Sequence, residues 1–282
     1  MDNTTLLRDY LHLQLSKLEK TDVQESKNKS EMIILHYLKI SKADLYLKDI
    51  QLNKKNIKDL NNMFDRLASN APVQHIIEET FFYEDSFLTP PGIFIPRPET
   101  ELIVDCALDH ISVNKKKLRV LDLCTGSGCI ILSIAKKFPE NDFIGIDSSN
   151  FAIQIAKKNK KLLNVENVEF VKEDMFNLKI NNIDLLVCNP PYLAKEEMES
   201  LDHSVKKHDP ENALTDFEDG TSYYKFLISN FQLFMNENGI MLIELPYSPV
   251  AKDIELFNKK QNVNKSTFLK DLEGKNRVIK IY

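Results

Sequence analysis

Val120-Leu121-Asp122-Leu123-Cys124-Thr125-Gly126-Ser127-Gly128 reads as a buried strand running into a glycine loop, and the apolar residues from Cys129 to Lys137 behind it read as a helix. Glycine in such a loop lets the backbone approach a ligand closely, and the helix start adds oriented N–H groups. The chain holds only seven glycines in 282 residues. Two of them stand two residues apart in this loop, where backbone geometry is most demanding. Outward from it, strands are expected over 142–147, 168–171, 183–188 and 239–245, and helices over 151–163, 222–235 and 253–259. Two closing strands, 266–272 and 277–282, flank a Glu273-Gly274-Lys275 turn. Alternation of strand and helix predicts a doubly wound, mostly parallel α/β sheet, and the final strand pair an antiparallel edge.

Upstream, the pattern changes. Leu7, Tyr10, Leu11, Leu15 and Leu18 recur at helical spacing, as do Ile57, Leu60, Phe64 and Leu67. A small helical bundle is expected over 1–78, either a protein-docking cap or a plain structural extension. Its lysines and arginines balance its acids. Residues 79–98 read as a hairpin linker, with Phe81-Phe82-Tyr83 and Phe87-Leu88 as strands and Thr89-Pro90-Pro91-Gly92 as the turn signal. Residues 99–282 form the third segment, opening with a helix to about 110.

Composition narrows the class. The chain is 43% apolar and 28% charged, with a net charge of −5. No basic stripe suited to bulk nucleic acid is evident. No run of about 18 apolar residues suggests a membrane span, and the first residues lack a secretory signal layout. A cytoplasmic protein is expected. The four cysteines, Cys106, Cys124, Cys129 and Cys188, form no CxxC pair. They read as reduced, partly buried thiols, and no metal site is expected.

Three strand ends carry candidate chemistry. The first is the glycine loop. Ile131 replaces the third glycine of the dinucleotide fingerprint, so a nucleoside-type cofactor fits better than a pyrophosphate. Asp147 closes the next strand, about where an acid meets ribose hydroxyls in such folds. The second is Asp174-Met175, an acid and a soft apolar side chain suited to adenine. The third is Asn189-Pro190-Pro191-Tyr192, after the apolar strand at 183–188. Two prolines stiffen the backbone there. They hold an amide and an aromatic ring on either side of a rigid corner, a geometry suited to a planar NH2 group.

The glycine loop, Asp147, Asp174-Met175 and Asn-Pro-Pro-Tyr together resemble a class I S-adenosylmethionine-dependent methyltransferase. The corner is similar to that of enzymes that methylate a planar nitrogen, either glutamine amide or adenine amine. Ile95-Pro96-Arg97-Pro98-Glu99-Thr100-Glu101, the helical module and the ending Asp271-Leu272-Glu273-Gly274-Lys275-Asn276-Arg277-Val278 closely resemble the HemK/PrmC family, the glutamine-N5 methyltransferases of peptide chain release factors. The chain departs from that family at Cys124, where glycine is usual, and at Asp216-Phe217, where a Gly-Gly pair is expected. His75 stands where the family tends to have tyrosine.

The resemblance implies a seven-stranded sheet and roles for particular residues. Asn189 (side-chain oxygen) and Pro190 (carbonyl) would accept the two amide hydrogens, with Pro191 shaping the substrate slot and Tyr192 walling it. Cys124, Thr125, Gly126, Ser127, Gly128, Asp147, Asp174, Met175 and Asn189 would line S-adenosylmethionine, the product being S-adenosylhomocysteine. No titratable base is evident near the corner, so none is assigned. The implied substrate is the Gly-Gly-Gln glutamine of class 1 release factors, with no direct nucleic acid or membrane partner and a monomeric state. Alternatives are N6-adenine methylation of DNA or RNA, methylation of another protein glutamine, and a docking subunit that binds cofactor without catalysis.

Overall fold

A computed structural model describes residues 5–201, 203–246, 254 and 265–282. The chain divides into two compact units. The first runs to Glu79 and includes His203–His208; the second holds Thr80–Leu201 and the described residues from Asp209 onward.

In the first unit, β1 (Thr5–Leu6) leads into α1 (Leu7–Leu18), α2 (Ser26–Leu38) and α3 (Lys42–Leu47). Then come β2 (Gln51–Leu52), α4 (Lys54–Ala68) and α5 (Val73–Ile77). The antiparallel β1–β2 pair is only two residues long, too short to leave an alternation in the sequence. Ser41 and Asn53 start α3 and α4 with reciprocal capping boxes. Leu7, Leu60, Phe64 and Leu67 form the buried seam expected from their helical spacing, and Ile33 and Ile34 of α2 join it.

The second unit opens with the hairpin β3 (Glu79–Phe82) and β4 (Asp85–Leu88). The chain reverses at Tyr83-Glu84, with Tyr83 at φ 58°, and not at Thr89-Pro90-Pro91-Gly92. That tetrapeptide makes a separate turn afterwards. Ile93 N–H donates to the Pro90 carbonyl at 3.1 Å and Gly92 takes φ 91°, as the third position of a type II turn requires. Phe82 and Phe87 are buried in the core of this unit. Pro98 opens a 3-10 turn, Pro98–Thr100, one residue before the expected helix start.

From there α6 (Glu101–Ser112), β5 (Arg119–Leu123), α7 (Cys129–Lys137), β6 (Asp142–Asp147), α8 (Asn150–Leu162), β7 (Val168–Lys172) and β8 (Ile183–Cys188) follow the expected alternation closely. After α9 (His203–His208) come α10 (Ser222–Ser229) and α11 (Phe231–Phe234), then β9 (Met235–Glu244), β10 (Ser266–Lys270) and β11 (Asn276–Ile281). The single helix expected over 222–235 is a correction. Asn230 leaves helical geometry and donates its side-chain amide to the Phe226 carbonyl at 2.8 Å, ending α10. Met235 is drawn into pairing with Ile183, so β9 starts earlier than expected. The helix expected over 253–259 lies outside the described residues, Ile254 excepted.

The seven-stranded sheet has the order β10-β11-β9-β8-β5-β6-β7. Only β11 runs against the others, since it pairs antiparallel with both β9 and β10. Alternate residues sort to the two faces, as the period of two demands. Val120, Leu185, Val187 and Leu242 face the core containing α6 and α7. Leu121, Leu123, Leu186, Met241 and Ile243 face the core containing α10 and α11. The one acid inside β8, Asp184, accepts hydrogen bonds from Lys116 Nζ (2.8 Å), Arg119 N–H (2.9 Å) and Asn236 Nδ2 (2.8 Å), which compensates its burial. From β5 the chain winds outward through β6 and β7 on one side and β8 and β9 on the other. The crevice at the carboxyl ends of β5 and β8 is therefore the switch point where open α/β sheets bind ligands.

Candidate active site

One cleft at those strand ends brings the predicted residues together. Cys124, Thr125, Gly126, Ser127, Asp147, Asp174, Met175 and all of Asn189-Pro190-Pro191-Tyr192 line it. Gly128 does not. It takes φ 80°, and a Cβ there would sit 3.0 Å from Phe170, 3.1 Å from Leu132 and 3.2 Å from Ala156. It packs the start of α7 against its neighbours.

The loop after β5 is shaped by torsions. Cys124 and Gly126 stand at φ 59° and 55°. The Thr125 hydroxyl turns inward and donates to Asp122 Oδ2 at 2.6 Å. Burial pushes the Asp122 carboxyl up to about 7; the Thr125 bond opposes this and the Asp147 charge adds to it. Asp147 holds the loop from the side. Its Oδ2 accepts the Gly126 N–H and its Oδ1 the Ser149 N–H, both at 2.9 Å. Burial raises its pKa, and those two bonds pull the other way. Asn159, buried on α8, donates to the Ser127 carbonyl at 2.9 Å and pairs with both the N–H (2.8 Å) and the carbonyl (3.2 Å) of Leu88. Cys124 occupies a left-handed position that favours glycine, which accounts for the glycine expected there.

Past β7, Asp174 Oδ1 accepts the Phe176 N–H at 3.0 Å and starts a short 3-10 turn. Met175 is buried beside Cys124, sulfur to sulfur 3.9 Å. Phe176 packs on Tyr223, ring centres 5.1 Å apart, and Tyr223 borders the cleft. Sequence reasoning missed Tyr223, because it lies on a helix far along the chain from Met175.

The corner after β8 is held from outside. Leu193 N–H donates to the Leu214 carbonyl at 2.9 Å, and Lys195 N–H to the Glu218 carbonyl at 2.9 Å. Asp216 organises this bracing loop by accepting the N–H groups of Glu218 (2.9 Å), Gly220 (2.9 Å) and Ser222 (3.0 Å). Gly220 has φ 77°, and a Cβ there would fall 2.5 Å from the Tyr192 carbonyl oxygen. Phe217, in the pair where the resemblance leads one to expect glycines, also stands at φ 61°. Burial raises the Tyr192 hydroxyl to about 12, so it stays protonated.

Asn189 Nδ2 donates to Thr100 Oγ1 at 3.2 Å. Among the described residues, neither its Oδ1 nor the Pro190 carbonyl has a hydrogen-bond partner. A titratable group also lies near this corner, contrary to the sequence reading. Glu244, at the end of β9, is 2% exposed, and burial pushes its carboxyl up to about 7. Its position at the close of the apolar run Ile240-Met241-Leu242-Ile243 gave no sign of that environment.

The cleft can hold an elongated ligand between a closely approachable glycine loop and a stiff corner with two acceptors. Comparison with known proteins agrees. Residues 114–280 match the methyltransferase domain family, and residues 9–77 match the PrmC N-terminal domain. The release factor glutamine methyltransferase of Thermodesulfovibrio yellowstonii is 34% identical over 252 residues, covering 89% of this chain and 90% of that protein. This chain belongs to the release factor glutamine methyltransferase family. The Francisella tularensis member is 30% identical, covering 99% of this chain and 98% of its own length. The Bacillus subtilis member is 30% identical, covering 92% of each. Among solved structures, the hMettl16 catalytic domain in complex with the MAT2A 3'UTR hairpin 6 matches with a TM-score of 0.56 at 15% identity. It covers 88% of this chain and 91% of that one, and this likeness is one of fold. With the seven-stranded order, the family assignment gives a class I methyltransferase fold. No described helix is long and apolar enough to cross a membrane.

Proposed function

We propose that this chain transfers a methyl group from S-adenosylmethionine to the side-chain amide nitrogen of the glutamine in the Gly-Gly-Gln loop of class 1 release factors. The observation that carries the reading is the corner itself, with two adjacent acceptors, Asn189 Oδ1 and the Pro190 carbonyl, on a backbone stiffened by prolines and braced by Gly220.

The cleft residues fit the cofactor. A Cβ built on Gly126 meets only the Cys124 carbonyl oxygen, at 4.0 Å, so the loop backbone is open to a ligand on that side. Cys124, Thr125, Gly126 and Ser127 would follow the methionine portion, Asp147 the ribose hydroxyls, and Met175 the adenine with Asp174 at its edge. When bound, S-adenosylmethionine supplies an electrophilic methyl on a sulfonium.

An amide nitrogen is a weak nucleophile because its lone pair is shared with the carbonyl. Asn189 and Pro190 orient it by accepting both N–H hydrogens, which aims the lone pair along the line of displacement. Tyr192 closes the slot against water. Holding two reactants in this way lowers the barrier by several kcal/mol, up to roughly 7–11. In the transfer the N–C bond would form as the methyl–sulfur bond breaks, S-adenosylhomocysteine would be the leaving group, and the acidic nitrogen would then lose its extra proton to solvent outside the slot. The helical unit over 1–78 serves as the docking module for the release factor, 79–98 as its connection, and 99–282 as the catalytic domain. The enzyme acts as a cytoplasmic monomer.

The test is mass spectrometry of a class 1 release factor after incubation with this protein and S-adenosylmethionine. One added methyl on the Gly-Gly-Gln glutamine is expected. No gain there, with methylation of an adenine-containing oligonucleotide instead, would overturn the reading.

A further inference from the structure

We propose that Thr100 and Glu244 form a relay beneath Asn189 that fixes which end of its carboxamide faces the cleft. In its catalytic consequence this rests on the reading of Asn189 as an acceptor for the substrate amide.

A carboxamide presents a donor and an acceptor of nearly the same shape. Turned one way, Asn189 offers its oxygen to a substrate NH2; turned the other, it opposes donor to donor. The bond from Asn189 Nδ2 to Thr100 Oγ1 at 3.2 Å decides between them. A hydroxyl both donates and accepts, however, so Thr100 imposes an orientation only if another group takes its own proton. Glu244 stands where that group is needed. Its strand, β9, adjoins β8, with Cys188 opposite Ile243. Asn189 and Glu244 each follow that pair directly, and the Thr100 hydroxyl pulls the pKa of the Glu244 carboxyl down against its burial. With the Thr100 proton directed to Glu244, the Thr100 lone pairs face Asn189.

The fold itself does not account for this carboxyl. The Glu244 backbone already serves the sheet opposite Val278, and its carbonyl accepts the Tyr224 hydroxyl at 2.8 Å. Glu244 Oε2 is buried with no hydrogen-bond partner among the described residues. The Arg277 guanidinium is bonded to Asp271 at 3.1 Å. A buried carboxyl left half-satisfied is costly and calls for a reason.

The ionisation of Glu244 decides how firmly the relay points. Burial raises its pKa to about 7, the Thr100 hydroxyl, Arg277 and Arg97 lower it, and Glu99 raises it. The Tyr192 and Tyr224 hydroxyls also face its charge and remain protonated. Ionised Glu244 can only accept, which supports the productive orientation. Protonated Glu244 can donate to Thr100 and push its hydroxyl proton toward Asn189. Turnover therefore rises with pH through the neutral range.

The test uses the full-length protein labelled with 15N-asparagine, the Asn189 side-chain NH2 signals being assigned by their loss in Asn189→Ala. In wild type one proton of the pair is expected to exchange slowly with water. Thr100→Val and Glu244→Met abolish that protection; Glu244→Gln, which can still accept, keeps it. Methyl transfer to the release factor is read in parallel. Thr100→Val and Glu244→Met lower kcat between about 10- and 100-fold with unchanged cofactor affinity. Glu244→Gln recovers most of the pH 8 rate and flattens the rise between pH 6 and 8. Unaltered Asn189 signals in both Thr100→Val and Glu244→Met, or in Thr100→Val alone if Glu244→Met does not fold, overturn the relay. So does a pH profile for Glu244→Gln that matches wild type. If wild type leaves the release factor unmodified while the Asn189 signals respond as stated, the proposed substrate falls and the relay stands.

Discussion

The ends of β5 and β8 lie side by side and are built on opposite principles. After β5 the backbone does the work. Cys124, Gly126 and Gly128 all take positive φ, and the Thr125 side chain turns inward to Asp122. After β8 the backbone is frozen by prolines and side chains do the work, with Asn189 and Tyr192 at the cleft. A ligand seated against such a backbone tolerates changes of side chain but not of torsion. A reacting nitrogen positioned by an amide tolerates neither loss nor reversal of that amide.

The sharpest way to break the comparison is Asn189→Ala. Single-turnover methyl transfer is expected to fall about 100- to 1000-fold, while cofactor affinity measured by calorimetry changes little. Equal losses in both would place Asn189 with the glycine loop in holding the cofactor. Next is Gly220→Ala, which adds a Cβ 2.5 Å from the Tyr192 carbonyl oxygen at φ 77°. Strain and overpacking together should cost about 2 to 5 kcal/mol in denaturant unfolding and disorder the corner.

Asp122→Asn sharpens the β5 side through pH. The wild-type carboxyl titrates at about 7 when folded, against an ordinary 3.8. The stabilisation from its proton is full below the unfolded value and drains as pH rises to about 7. Asparagine keeps no such dependence. Between pH 4 and 8 the variant should therefore gain on wild type by about 4 kcal/mol, read as the difference of two unfolding curves at each pH. The smallest effect is Phe217→Gly. Phe217 is half exposed at φ 61°, so relief of the left-handed penalty should raise stability by up to about 1 kcal/mol. A loss of stability there would show that the ring itself braces the corner.

The central strands were legible because interior parallel strands are continuous apolar runs that glycine, proline or acids bring to a stop. Residues 183–188, ending at Asn189-Pro190, were read to the residue. The end of α10 was hidden because Phe231 and Phe234 continue its apolar spacing while Asn230 breaks its backbone. The hairpin reversal at Tyr83 was hidden because tyrosine carries no turn preference. In the site, Asn189, Asp147 and the loop announced themselves through local motifs. Glu244 did not, because its burial comes from strand pairing across the sheet and from no neighbour in sequence. Thr100 lay inside a stretch already singled out, but its partner was far away along the chain.

The Asn159 side chain ties Leu88, Ser127 and α8 through one buried amide, with Asn159 and Leu88 71 positions apart in the chain. During synthesis from the N-terminus, Leu88 has neither of these partners until α8 has been made. By then the cofactor loop has also emerged. The tie between the end of the hairpin and the glycine loop is thus made only after residue 159 has been added to the chain.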